Sequence, residues 1–436
     1  MRLAFKFAIV FVLTLAILLP LAMIRGTISE RQQYRRQAVD EVTRSYAGEQ
    51  SIAGPMLVLP YREQVEVEER DASGALRKQM RVVDRQWTFF PKTMRMKGVV
   101  QPSIRKLGLH EVRVYELRGT LDAAFDVQLP KEDPAHPRTL GMPWIDFGIG
   151  DVRGLVGAPT LQVAGRAVQV LQGQLGRDGG GVHAMLADGT GADGRMAFPL
   201  RLQFALRGTE ALAIAPLADD NHVELDSPWP HPQFNGDFLP RSHRIDASGF
   251  HAGWDVSSLA SNAQAQYRAG GGKHIDAIGL SLVEPVNLYS KVDRATKYGL
   301  LFVLLTFTGF FMLETIKQLP IHPIQYALVG LALAIFFLLL LGLSEHIAFG
   351  WAYLAAAIAC VGLIGFYLGA VLRSRMRGFG FAAMLGLLYA ALYGLLVSED
   401  NALVLGAGLL FAILAAIMVA TRKVDWYQVA IRQVQQ

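Results

Sequence analysis

The chain has 436 residues, a formal net charge of +5, a pI near 9.2 and a mean hydropathy of +0.29. That hydropathy excludes an ordinary soluble protein, because the apolar residues gather in long runs at the two ends of the chain. The basic balance does not point to nucleic acid, which would need a basic face on a folded domain. Lysines and arginines sit instead beside the apolar runs, as membrane charge bias requires.

The first run, 7–24, follows Arg2 and Lys6. A signal peptide has similar flanks, but this run is long for a signal core and no small-x-small cleavage site follows it. It reads as an uncleaved anchor within a segment 1–28. Ser29-x-x-Gln32 is a weak capping box, and it opens a predicted juxtamembrane helix over 29–47.

From 48 to 290 the period is two. Leu200, Leu202, Phe204 and Leu206 alternate with Arg201, Gln203 and Ala205, and Leu121, Ala123, Phe125 and Val127 repeat the pattern. Val65 and Val67 alternate with Glu66 and Glu68. Such alternation predicts strands with one buried and one wet face. Asp71-Ala72-Ser73-Gly74, Arg177-Asp178-Gly179-Gly180-Gly181 and Gly270-Gly271-Gly272 are turn chemistry between them. Antiparallel, sandwich-like sheets follow from that spacing. The single cysteine, Cys360, falls in a later apolar run. The β-rich region therefore has no disulfide and must be held by its core, for which roughly 270 residues suffice. Leu117-Arg118-Gly119-Thr120 and Leu206-Arg207-Gly208-Thr209 echo each other, as two duplicated halves would, although a chance match in a Gly-rich chain explains it too. The stretch 175–195 is Gly-rich and predicts a lengthened hairpin. Ser227-Pro228-Trp229-Pro230-His231-Pro232-Gln233-Phe234 opens a rigid loop that prolines exclude from a central strand. Trp229, His231 and Phe234 either form a recognition surface or fold over the end of a sheet.

Five apolar runs close the chain: 298–316, 324–343, 347–372, 379–397 and 402–420. Each approaches the about 20 residues that a helix needs to cross roughly 30 Å of hydrocarbon. Their connectors alternate. Lys317, then Arg373, Arg375 and Arg377, then Arg422 and Lys423 follow the odd runs, whereas Glu345-His346 and Glu399-Asp400 follow the even ones. Basic connectors stay in the cytoplasm, so six crossings are predicted, with both termini inside and 48–290 exported. The bundle spans 291–421 and the tail 422–436. Arg25, Arg31, Arg35, Arg36, Lys291, Arg294 and Lys297 lie near the membrane on the outer side, against the rule, but long domains translocate largely regardless of charge.

Within the bundle, Glu314 and Lys317 share one helix face at a cytoplasmic end, and His322, Gln325 and Tyr326 follow in the next turn. Glu345 and His346 lie at the opposite surface. Ionisable groups at membrane depth are functional candidates, yet no run carries a charge near its midplane, which argues against ion-coupled transport. Gly362, Gly365 and Gly369, and Gly386, Ala390 and Gly394, offer small faces for helix packing. No nucleophile elbow, His-Glu-x-x-His, dinucleotide loop or phosphate loop is present. The histidines between His110 and His274 form no short-spaced chelating pair. No catalytic residue, cofactor or metal is implied.

Several stretches carry a resemblance. They are Gly54-Pro55-Met56-Leu57-Val58-Leu59-Pro60-Tyr61, the Trp229 loop, Gly249-Phe250 with Trp254, Val292-Asp293-Arg294 through Tyr298-Gly299, Ile321-His322-Pro323-Ile324-Gln325-Tyr326, Leu343-Ser344-Glu345-His346, and Thr421-Arg422-Lys423-Val424-Asp425-Trp426-Tyr427. In these the chain is similar, over essentially its full length, to the CreD family of bacterial inner-membrane proteins. The resemblance implies a role in cell-envelope integrity, under two-component control, and no established catalytic residues. The expectation is a six-helix membrane protein with an inserted β-rich domain, non-enzymatic, whose partners are the lipid bilayer and an envelope or signalling protein. A ligand-sensing module acting through a membrane or cytoplasmic partner is the alternative. A pocket with converging polar groups in the β-rich domain would favour sensing.

Overall fold

The computed structural model describes residues 2–70, 76–131, 133–134, 136–175, 179–187, 194–270, 275–282, 288–317, 321–372, 374–398 and 402–422. The predicted turn at 71–74, part of those at 177–181 and 270–272, Arg373, Glu399, Asp400 and the tail from Lys423 lie outside these residues, as do the side chains of Val67, Glu68 and Lys317.

Helix α1 (Arg2–Ser45) comes first. Two long hairpins follow, β1 (Gln50–Arg70) with β2 (Leu76–Phe89) and β3 (Thr93–Leu107) with β4 (His110–Gln128). Shorter strands are β5 (Arg138–Leu140), β6 (Trp144–Ile149), β7 (Thr160–Val163), β8 (Arg166–Val168), β9 (Leu171–Gln172) and β10 (Gly181–Met185). Then come β11 (Arg195–Thr209), β12 (Ala211–Ala215), β13 (Asp220–Ser227), β14 (Gln233–Gly236), β15 (Ser242–Asp246) and β16 (Gly249–Ser257). Helix α2 (Ala263–Arg268) and β17 (Ile278–Ser281) complete this part. The remaining helices are α3 (Leu288–Lys297), α4 (Gly299–Lys317), α5 (Pro323–Ser344), α6 (Phe349–Val371), α7 (Arg375–Val397) and α8 (Ala402–Thr421).

The chain divides into two compact units, one made of 1–36 with 286–436 and the other of 37–285. The juxtamembrane helix expected from Ser29 is not separate. It continues α1 without a break, and Ser29 is an interior residue rather than a cap. Nothing between Arg25 and Ser45 stops a helix, so the weak box has no end to cap. Pro20 also lies inside α1, in the apolar stretch where such residues are tolerated.

In the second unit the strands form a nine-stranded sheet, with the path β14-β17-β12-β1-β6-β10-β9 and with β2 and β5 also on β1, and an eight-stranded sheet, β15-β16-β13-β3-β4-β11-β7-β8. Most neighbours are antiparallel, but β1 runs parallel to β12 and β3 to β13. One buried cluster draws on both sheets, with Leu57, Ile145 and Leu212 from the first and Leu117, Leu202 and Trp254 from the second. The predicted alternation holds: Leu121, Ala123, Phe125, Val127, Leu200, Leu202 and Leu206 are all buried. Below the first sheet, Met56 packs with Tyr267 of α2.

The echoed Leu-Arg-Gly-Thr segments lie on β4 and β11, adjacent strands of one sheet, with Leu117 opposite Leu206. They therefore do not mark two separate halves. Each glycine faces an aromatic residue across the pair: Gly119 faces Phe204, and Gly208 faces Tyr115. A Cβ on Gly119 would lie 2.7 Å from the Phe204 ring, and one on Gly208 would strike the Tyr115 hydroxyl. The Gly-rich stretch also resolves differently from one hairpin. Its described residues begin between the paired strands β9 and β10 and end at Arg195, which opens β11 of the other sheet.

Among the described residues of the first unit, five helices are long and apolar enough to cross a membrane, within Ala8–Ser45, Leu288–Met312, Pro323–Ser344, Phe349–Val371 and Arg375–Val397. A shorter apolar stretch, Val404–Ala415, belongs to α8. One core joins Leu21 and Ile28 of α1, Phe302 and Phe307 of α4, Phe336 of α5, Ile364 of α6 and Tyr389 of α7. Close approach depends on glycine at particular points. A Cβ on Gly330 would lie 2.8 Å from both Ile17 and Phe307.

Candidate functional site

Helix α5 is held at both ends by a carboxylate that accepts a tyrosine hydroxyl, Glu314 buried and Glu345 partly buried. At its start, the Tyr326 hydroxyl donates to Glu314 Oε2 at 2.7 Å, and Glu314 is 5% exposed. Phe307 and Phe310 pack around the Tyr326 ring at 5.6 and 4.6 Å. A carboxylate out of water needs such donors, since an unmatched one costs several kcal/mol. The expected Glu314–Lys317 pair rests on a side chain outside the described residues. His322 and Gln325 serve the helix itself. His322 Nδ1 accepts the Ile324 N–H at 3.3 Å, Gln325 Oε1 accepts the His322 N–H at 3.0 Å, and Pro323 occupies the first turn. This is a reciprocal cap of the kind serine and glutamate usually make.

At the other end of α5, the Tyr289 hydroxyl donates to Glu345 Oε1 at 3.3 Å, and Arg31 Nε lies 3.6 Å from the same oxygen. The Glu345 side chain is 8% exposed. Arg25 Nη2 donates to the Thr296 carbonyl at 3.4 Å. Two of the basic residues that strained the charge rule thus have fixed partners within the bundle. His346, the next residue, is exposed.

In the β-rich unit the Trp229 loop leads from β13 of the eight-stranded sheet to the nine-stranded one, and its Gln233–Gly236 part, expected as loop, is the edge strand β14. Arg113 covers the Trp229 ring at 3.7 Å while donating to Leu282 O, and Trp229 Nε1 donates to His231 O at 2.8 Å. Phe234 turns inward, edge-on to Phe250 and Trp254 at 5.6 Å. Of the two readings of this loop, the corner that covers the sheet fits the packing.

Three groupings escaped the sequence. His222 Nδ1 lies 2.6 Å from Asp255 Oδ1 and its Nε2 2.9 Å from Glu224 Oε1, with Lys97 Nζ 2.8 Å from the second Glu224 oxygen. The Asp255 and Glu224 carboxylates raise the imidazole's affinity for its proton. Lys97 and His222 in turn hold Glu224 down at about 2. Second, His251 Nδ1 lies 2.8 Å from Asp226 Oδ1 at one wall of a cleft of about 280 Å³, which Arg244, Asp246 and Ser248 also line. Third, Glu63 is buried and meets Arg138 at 2.8 Å and Arg85 at 3.1 Å. The histidine pairs depend on strand register, His222 opposite Asp255 and Asp226 opposite His251, which no local pattern reveals. Glu63 did leave a signal, being a charge on the buried phase of Leu57, Leu59 and Tyr61. Among the described residues no three His, Cys, Asp or Glu side chains converge as metal ligands.

A family profile described as "Inner membrane protein CreD" matches residues 2–427. The inner membrane protein CreD of Escherichia coli (strain K12) is 36% identical over 430 residues, covering 97% of this chain and 93% of its own. Among solved structures, the M1 zinc metallopeptidase from Deinococcus radiodurans aligns at 10% identity over 38% of each chain, with a TM-score of 0.19. The native leukotriene A4 hydrolase from Saccharomyces cerevisiae aligns at 10% identity over 37% of this chain and 26% of its own, with a TM-score of 0.20. Likenesses at that level carry no argument about fold or chemistry. The profile and the full-length relative do: this chain belongs to the CreD family of inner membrane proteins.

Proposed function

We propose that the chain is a non-enzymatic multi-pass protein that supports cell-envelope integrity through its β-rich unit, exported on a base of six crossings. The observation that carries this reading is how the charged groups are spent. Glu314 and Glu345 accept tyrosine hydroxyls, Glu63 holds two arginines, and Asp122 and Asp126 pair across strands with Arg201 and Arg195. Side chains committed to one another in this way build a scaffold rather than a reaction centre. The two sheets sharing one core support a sandwich-like domain, and the length of α8, 20 mostly apolar residues, supports a sixth crossing. The test is complementation of a strain lacking this protein, read as leakage of a periplasmic reporter under detergent stress. The full chain should restore the barrier, and a chain without 37–285 should not. Full rescue by the membrane unit alone would remove the proposal.

A second reading, a ligand-sensing module that signals through a protein partner, is favoured by the polar cleft at Asp226, Arg244 and His251. It requires that Arg244→Ala with His251→Ala abolish complementation while tryptophan fluorescence stays native.

A further inference from the structure

Helices α6 and α7 meet closely beside their connecting turn. There a Cβ on Gly378 would lie 2.6 Å from the Gly369 Cα, and one on Gly365 2.8 Å from the Ala382 Cβ. Farther along, a Cβ on Gly362 or Gly386 would meet nothing within 4 Å, although one on Gly350 would still lie 3.1 Å from the Tyr393 hydroxyl. Here lies a groove of about 900 Å³. Trp351, Leu354 and Ile358 line one wall, and Ala390 and Tyr393 the other. Its floor is closed by Tyr353, whose hydroxyl donates to Tyr389 O at 2.7 Å, and by Tyr389, whose hydroxyl lies 3.3 Å from Cys360 Sγ.

A positive charge stands one ring beyond the groove's lining, past Phe349. Lys291 Nζ lies 5.8 Å from the centre of the Phe349 ring, and that ring packs on Tyr353 at 6.2 Å. Trp351, which is 69% exposed, and Tyr393 stand at the same end, as aromatic residues do at a bilayer interface.

We infer that the groove holds an acyl chain of an anionic phospholipid whose phosphate sits at Lys291. Hydrocarbon offers no hydrophobic gain to a chain already in the bilayer. Retention must come from dispersion contacts along a shaped wall and from the cation beyond its lining, and both are present here. Assigning the lipid to the outer half of the bilayer rests on the proposed topology, but the binding does not.

The test uses the full chain, purified in detergent and examined by native mass spectrometry with phosphatidylglycerol, phosphatidylethanolamine or inorganic phosphate. Wild type should retain one phosphatidylglycerol in preference to phosphatidylethanolamine, and phosphate should not displace it. A basic residue near the membrane surface is worth about a fivefold preference, so Lys291→Ala should lose about that factor and Lys291→Arg should keep it. Gly386→Leu fills the groove and should abolish retention. A second measurement needs no variant: phosphatidylglycerol with a photoreactive acyl chain should label peptides covering 348–362 and 386–393 of the wild type. Equal retention of the two lipids, binding of phosphate alone, labelling spread evenly over the other helices, or a crosslink there to a second copy of the chain would each overturn the assignment.

Discussion

At the scale of single residues, two buried or bridged groups set measurable energies. Tyr326→Phe removes a donor from the Glu314 carboxylate at 2.7 Å. Leaving a buried acceptor short of a partner costs about 1–3 kcal/mol, so the thermal midpoint in detergent should fall, and Glu314→Leu added to it should recover part of the loss. Strict additivity of the two substitutions would separate the residues. His222 makes stability depend on pH. Its neighbours are Asp255 and Glu224, with Lys97 on Glu224, Arg241 on Asp255 and Arg95 opposite on β3. Its folded affinity for a proton is raised. The stability it adds is thus fully present below the unfolded value of about 6.5 and fades as pH rises through the folded one. Glu224, at about 2, and Asp255, also lowered, act in the opposite sense. Their contribution is present above the ordinary carboxylate range and is lost as pH falls through their folded values. The unfolding midpoint followed by tryptophan fluorescence should drop as pH rises above about 6.5, and His222→Asn should flatten that slope. An unchanged slope would take His222 out of the account.

At the scale of elements, the Gly–aromatic pairs between β4 and β11 explain why the same four-residue phrase occurs twice. A glycine across from an aromatic residue lets the ring lie over the neighbouring backbone. The two pairs are not equivalent. Tyr115 is fully buried and its hydroxyl donates to Ala211 O at 2.7 Å, whereas Phe204 is half-buried. Overpacking a fixed neighbour costs about 1–3 kcal/mol, so Gly208→Ala should shift the urea midpoint clearly and Gly119→Ala less, because Phe204 can swing outward. The reverse order would show that Tyr115 has room that the packing does not suggest. Helix α1 teaches a related lesson. A capping box is a signal only where the chain stops being helical, and Ser29 sits within 44 helical residues.

At the scale of the whole molecule, topology is the property most open to test. A reporter active only outside the cytoplasm should give signal when fused at 180, 344 or 398, and none when fused after Arg375 or at the C-terminus. Signal reversed at 344 and 398 would overturn the six-crossing proposal. Of the basic residues on the supposed outer side, Arg31 approaches Glu345 and Arg25 donates to a carbonyl of α3, and the fusion reporters decide how much their charge weighs.

Hydropathy and composition were enough to mark the apolar helices, the β-rich insert between them and the strand phase that faces the core. Each of these rests on local preferences: about 20 apolar residues to cross hydrocarbon, and alternation to bury one face of a strand. His322 and Gln325 were visible as candidate residues, but the reciprocal cap that they form was not foreseen. What tertiary structure alone decided are the pairings between distant segments. Tyr326 with Glu314, Tyr289 with Glu345, His222 with Asp255, and the groove between α6 and α7, which touch at Gly369 and Gly378, all depend on register or crossing point. A shift of one residue in a strand, or one turn in a helix, leaves every local pattern intact and changes each of those contacts.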